Sequence, residues 1–433
     1  MCSGLRCRCG FIFYGAGVLT LMRLLSVAHN HSSIHPGGTE MMAEGLHAGY
    51  QRMPGVEARL LAAADPGLRE GVPGTTITSA KHDPSLFYFR APGFDSVNQS
   101  RYSLEPLLYD VTWFLRDFKP NVVHIHHLNH YGVEFLQLLR KEVPAAKIYL
   151  TLHDYYLMCG RDGLLFTADG KRCAGPDPEA CFRCHPDRSP AAFAARDVLV
   201  KKHLRLADRL IAPSAFLRDR FIDWGLSPAQ IDILPNGWRV DTGGKAEIMP
   251  ALNQFTLLGN LRATKGTLVA LRAFLAAARD MDEKPVLDIY GAALYQPALF
   301  EDEVNALIDQ SDGMICAHDG YTSADLPAIL AKTAWMLVPS IWWENAPLVV
   351  NEAFSFKRPV ICSDIGGMAE AVDNGVNGLH VPAGNVAAWC AAIKNTSGNE
   401  VLWRKLYRGI APVRSIDAAA ADYLALFKNA KAA

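Results

Sequence analysis

The sequence predicts an α/β protein of two doubly wound domains facing each other across a cleft. Its 433 residues are too many for one compact core, because single cores stop growing near ~250–300 residues. Short apolar, β-branched runs alternate with longer amphipathic stretches, the signature of strand–helix–strand units. That alternation breaks once and then restarts.

In chain order, Leu24 to Ala28, Asn121 to His126, Lys147 to Leu152 and Leu210 to Ala212 read as strands of the first domain, with helices between them. Phe255 to Leu258, Val286 to Tyr290, Trp335 to Val338, Pro359 to Cys362 and Gly378 to Val381 read as strands of the second. The boundary falls near Val240 to Pro250, where Asp-Thr-Gly-Gly-Lys and a proline interrupt the pattern. This divides the chain into 22–240 and 241–400, with terminal helices over 401–433. In open parallel sheets ligands sit outside the carboxyl ends of the strands, so two such sheets place the chemistry between them.

Composition excludes several classes. Hydrophobic residues make up 50% and charged residues 20%, which rules out wholesale disorder. A net charge of −1 gives no whole-molecule field for nucleic acid. Beyond the N-terminus no stretch approaches ~18 unbroken apolar residues, so a multi-span membrane protein is excluded. Arg6 and Arg8 ahead of the apolar run Gly10 to Met22 resemble the opening of a signal peptide. The favoured reading is instead that the folded chain opens at Met22 and that residues 1–21 are an extension not native to it.

Of the ten cysteines, Cys159, Cys173, Cys181 and Cys184 cluster in a Gly/Pro/Asp-rich loop over 155–190. Only the last pair has the close spacing usual in a structural zinc site. Three readings stay open: zinc, two disulfides, or reduced and partly buried thiols, the last slightly ahead. The run His124-Ile-His126-His127-Leu-Asn-His130 lacks an accompanying carboxylate and reads as core and cleft histidines rather than a metal site. Arg196 to Arg209 reads as a helix packed on the sheet with a solvated basic face, ahead of its alternative as a contact for anionic lipid.

Several strand ends carry groups suited to binding. After Val338 the chain places Glu344 in a loop, Pro347 at a helix start and Glu352 further along that helix, and the free N–H groups of the first turn attract phosphate. A carboxylate there can accept from both hydroxyls of a ribose. After Leu258, a glycine turn followed by Arg262 and Lys265 suits a diphosphate. Gly37-Gly38 opens a helix after the first strand, and His153-Asp154 ends the strand from Lys147. Gly366-Gly367 and Asn236-Gly237 form further turns.

Taken together, Gly37-Gly38, Val122-Val123-His124-Ile125-His126, Thr151-Leu152-His153-Asp154, Ile211-Ala212-Pro213-Ser214, Leu234-Pro235-Asn236-Gly237, Gly259 with Lys265-Gly266, Pro339-Ser340, Glu344 to Glu352 and Gly366-Gly367 resemble the family 4 glycosyltransferases of the GT-B fold. The resemblance covers residues 22 to about 400. It implies two Rossmann-like domains, with helices around Trp403 to Lys428 crossing back to the first. It implies transfer of a sugar from a UDP- or GDP-sugar with retention of anomeric configuration, no metal or other cofactor being required for catalysis.

By position, the resemblance gives Lys265 the diphosphate, Glu352 the ribose, Glu344 the transferred sugar and His153 the sugar near its reacting carbon. Gly259, Asn345 and Leu348 line the donor site, and Gly38 lies where donor and acceptor meet. Where the family carries Arg directly after the first glycine this chain has Asn260, so Arg262 takes that role. The implied acceptor is a glycan or lipid-linked saccharide in cell-surface glycan synthesis, at a cytoplasmic location with contact to the inner membrane face. A nucleotide-sugar epimerase or hydrolase on the same scaffold is the alternative, followed by a zinc-stabilised binding protein.

Overall fold

A computed structural model describes residues 21–64, 74–239, 249–293 and 296–429. The expected N-terminal extension, apart from Leu21, and most of the expected boundary segment lie outside these residues. The strands of the first half are β1 (Met22–Ala28), β2 (Val56–Ala63), β3 (Ile77–Ser79), β4 (Leu86–Phe89), the short pair β5 (Phe94–Asp95) and β6 (Ser100–Arg101), β7 (Val122–Ile125), β8 (Lys147–Thr151), β9 (Arg209–Ala212) and β10 (Ile231–Ile233). The second half holds β11 (Gln254–Leu258), β12 (Val286–Tyr290), β13 (Ile315–His318), β14 (Trp335–Val338), β15 (Val360–Ser363) and β16 (Gly378–Val381).

The first sheet has the order β10-β9-β8-β7-β1-β2-β4-β3 and the second β13-β12-β11-β14-β15-β16. Every pairing in them is parallel except β3 with β4. A parallel sheet needs a crossover between neighbouring strands and is covered on both faces, which is why β7 and β14 are buried at every position. Each order reverses once near its centre, between β1 and β7 and between β11 and β14. There the crossovers leave to opposite sides and a crevice opens at the strand ends.

Each domain has its own core. Val27, Val123, Ile148 and Leu210 belong to the first, and Phe255, Leu287, Trp335 and Trp389 to the second. The return of the chain begins later than Trp403. Trp403 and Leu406, on the helix Glu400–Gly409, are buried in the second core, and the Trp403 indole donates to the Ala334 carbonyl at 3.0 Å. Only the last helix, Ile416–Asn429, lies on the first domain, because its apolar stripe of Ile416, Ala420, Tyr423 and Phe427 fits the one left by Leu24, Leu46, Tyr50 and Tyr149. Beside that crossing the Trp238 N–H donates to Arg414 at 2.9 Å and the Ile416 N–H to Trp238 at 2.9 Å.

The Phe427 ring sits 4.4 Å from that of Tyr149 and 5.4 Å from that of His124. Phe427→Ala should therefore destabilise the first domain by about 3 kcal/mol, as for other buried Phe truncations, lowering its melting temperature in calorimetry.

Candidate functional site

A cleft of about 920 Å³ opens between the domains at the two points where strand order reverses. Lys265 follows β11 and Glu344 follows β14, so adjacent strands at the second switch point deliver the two charges side by side. The Lys265 ammonium lies 2.6 Å from Glu344 Oε1, which also accepts from Ser340 Oγ at 2.7 Å and from the Trp342 indole at 2.9 Å. All three donors converge on one oxygen, leaving Oε2 for the cleft that Glu344 lines. The Glu344 side chain is only 7% exposed, and this shell is what lets a carboxylate sit there.

Two glycines make that geometry possible. Gly266 has φ +73°, and a Cβ there would stand 1.9 Å from the Pro339 carbonyl oxygen, so only glycine lets the two loops meet. On the other side, a Cβ on Gly367 would stand 1.5 Å from the Asn345 carbonyl oxygen, while the Gly367 N–H donates to the Glu344 carbonyl at 2.7 Å. The Gly366-Gly367 turn thus seats the Glu344 loop.

Glu352 is buried on the helix Leu348–Ser355, and Tyr321 Oη donates to it at 2.9 Å. Burial pushes its carboxyl up to about 7, against the opposing pull of Tyr321. That helix has no side-chain cap, and Leu348 and Val349 of its first turn line the cleft.

Across the cleft, a Cβ added at Gly38 would stand 3.3 Å from the Leu348 side chain, and the Asn345 amide donates to the His153 carbonyl. His153 lines the cleft, and burial pulls its imidazole down to about 4 although Asp154 opposes this. Burial also raises the Asp154 carboxyl, but His127 at 2.9 Å and the Tyr156 N–H outweigh it and hold the group below its usual range.

The expected residues Lys265, Glu344, Glu352, Gly259, Asn345, Leu348, Gly38 and His153 all line this one cleft. Arg262 does not. Its carbonyl accepts from Thr267 Oγ1 at 3.2 Å, and its Nε is buried with no hydrogen-bond partner among the described residues. The sequence offered no signal for Tyr321 or Trp342. Tyr321 stands in a loop after an edge strand, and Trp342 reads as an ordinary aromatic until its indole is seen on Glu344.

The zinc reading of Cys159, Cys173, Cys181 and Cys184 is not supported. Among the described residues no group of three or more His, Cys, Asp or Glu gathers to hold a metal, and the four thiols are free. Cys173 Sγ donates to the Gly175 carbonyl at 3.1 Å, and burial raises the Cys159 and Cys181 thiols away from the thiolate a metal needs. What the loop does is reach across the domains: the Trp343 indole donates to the Cys173 carbonyl at 2.9 Å and the Arg172 guanidinium lies 5.2 Å over the Trp343 ring.

The basic segment is divided: Lys202 and Arg205 are exposed, as a solvated face requires. Arg196 is buried and donates to the carbonyls of Val97, Leu157 and Tyr156, while Lys201 pairs with Asp197 at 2.8 Å. Among the described residues no helix is long and apolar enough to cross a membrane.

The sequence matches the family described as glycosyl transferases group 1 over residues 253–399 and the glycosyl transferase 4-like domain over residues 37–237. It is 29% identical to a glycogen synthase of Mycobacterium tuberculosis over 195 residues, 44% of this chain and 46% of that protein. It is 27% identical to a D-inositol 3-phosphate glycosyltransferase of Rhodococcus jostii over 222 residues, 47% of each. The chain thus spans about half the length of the curated relatives it matches. Among solved structures, Anabaena Alr3699/HepE in complex with UDP and glucose superposes with a TM-score of 0.65 at 17% identity, covering 94% of this chain and 100% of that one. Sucrose-phosphate synthase from Thermosynechococcus elongatus gives 0.67 at 15%, covering 94% and 98%. At these identities the likeness shows the fold.

Folded Glu352 keeps its proton to about pH 7, whereas an unfolded glutamate releases it near ~4.3, so the stability of the neutral form is full below ~4.3 and is lost as pH rises through 7. Glu352→Gln should come closest to the parent near pH 4 and gain on it by about 1–3 kcal/mol by pH 8, read from paired thermal melts across that range.

Proposed function

From the family 4 glycosyltransferases of the GT-B fold, to which this chain belongs, we propose that it moves a sugar from a UDP- or GDP-sugar to a saccharide or lipid-linked saccharide, with retention of configuration. The observation that carries this reading is the Lys265–Glu344 pair beside an uncapped helix start at the second sheet's switch point. An ammonium has three donors, so Lys265 can hold Glu344 and still neutralise a diphosphate. The first N–H groups of the helix Leu348–Ser355 add the positive end of its dipole. Solved neighbours are complexed with UDP, and with UDP and glucose, which favours the same class of donor here.

In this reading Glu352 accepts from the ribose hydroxyls, and Glu344 Oε2 and His153 address the transferred sugar. Departure of the diphosphate leaves positive charge on the sugar ring as the glycosidic bond breaks. The acceptor hydroxyl then adds on the same face, its proton passing to the departing phosphate oxygen. Preorganised positive charge around that phosphate supplies most of the rate acceleration, and no strong protein base is needed.

A panel of nucleotide sugars followed by thermal shift should reveal a donor, since saturation at 100 times Kd stabilises the native state by about 2.7 kcal/mol. A flat response to every UDP- and GDP-sugar would refute the reading. With the donor so found, Lys265→Ala should lower turnover by about 10²–10³-fold when assayed at a temperature where the variant remains folded. Turnover equal to the parent would remove Lys265 from its assigned role.

A further inference from the structure

Behind the cleft lies a set of histidines that the proposed reaction leaves without a task. His126 stands just past β7, and its Nδ1 is 3.2 Å from Nε2 of His153, the two rings stacked with centroids 5.4 Å apart. His126 Nε2 is buried with no hydrogen-bond partner among the described residues. Its neighbour His124 cannot supply one, because His124 Nε2 is taken by Thr151 Oγ1 at 2.7 Å and Nδ1 by Tyr50 Oη at 3.1 Å.

Burial pulls both His126 and His153 well down from the ordinary histidine range, so each is neutral at pH 7 and holds one ring proton. Where those protons sit follows from cost. A buried N–H without an acceptor is rarer and dearer than a buried lone pair without a donor. The partnerless Nε2 of His126 therefore carries the lone pair, which puts the proton of His126 on Nδ1. That N–H must donate to His153 Nε2, and the single proton of His153 is forced onto its own Nδ1.

We infer that His126 is a positioning residue that fixes His153 as the Nδ1–H tautomer, so that His153 presents a hydrogen-bond donor, not a base, to an oxygen of the bound sugar. The sugar in this statement rests on the proposed transferase reading; the tautomer does not. An imidazole that offers N–H to the cleft cannot take the acceptor's proton there, and that proton must leave by another route. It also gives the cleft a preference for a sugar bearing an oxygen at that point, since a deoxy analogue would leave the N–H unpaired.

Two-bond ¹H–¹⁵N correlation spectra of the full-length ¹⁵N-labelled protein at pH 7.5 report which ring nitrogen holds each proton, with His153 signals identified by their loss in His153→Asn. The expected result is a proton on Nδ1 of both His153 and His126. A proton on Nε2 of His153 in the parent protein overturns the inference. In His126→Asp the carboxylate can only accept, and a proton should appear on His153 Nε2; a His153 pattern identical to the parent's would show that His126 does not set it, and overturns the inference equally. The parent spectrum decides the matter even where that variant does not fold. No substrate is used, so failure here leaves the transferase reading standing, and a flat nucleotide-sugar panel leaves the tautomer standing.

Discussion

The Lys265–Glu344 ion pair is the contact on which the rest of the cleft depends. It joins the loops that follow the two adjacent central strands of the second sheet, and it gives a nearly buried carboxylate on the cleft wall a cationic partner. Removing the cation would leave the carboxylate with only neutral donors from Ser340 and Trp342. The chain spends much to keep the two together: a left-handed glycine against Pro339, a glycine with no room for a Cβ against Asn345, and an indole turned onto the carboxylate oxygen. A pair that served stability alone could be replaced by apolar side chains at little loss, so its placement at a switch point is the argument for chemistry.

The two halves of the cleft differ in electrostatic character. The second domain brings a cation, two carboxylates and a free helix start. The first brings the His153 imidazole and the Arg239 guanidinium, with Asp154 committed to His127 and Glu40 to His29.

How far the sequence foretold this depends on the kind of signal. β7 and β14 are short apolar runs whose every residue is buried, and such runs announce themselves. β2, Val-Glu-Ala-Arg-Leu-Leu-Ala-Ala, is made of good helix formers and becomes a strand only because β1 and β4 flank it, a tertiary override that no local pattern reveals. β13 escaped because an edge strand with two exposed residues lacks the apolar run. The cleft-lining residues were legible where a strand end, a glycine turn and a charge coincide, as at Lys265 and Glu344. Arg262 was expected at the cleft and is not among the residues that line it, since sequence spacing does not encode which residues of a turn reach the wall. In the cysteine loop the free, partly buried thiols match the reading placed slightly ahead; zinc rested on one close pair of cysteines, and what spacing could not show is that the loop's contact is made by the Cys173 carbonyl.

Glu370, on the second domain, accepts from the backbone N–H groups of Ala215 and Phe216 at 2.7 Å each and so closes the start of a first-domain helix. Together with the Trp343–Cys173 contact it forms a clasp along one rim of the cleft. The two chain crossings at Trp238 and Ser415 run side by side, joined by a parallel bridge. Parting the domains on the Glu370 side would strip an intramolecular cap from the helix and hand the Ala215 and Phe216 N–H groups to water.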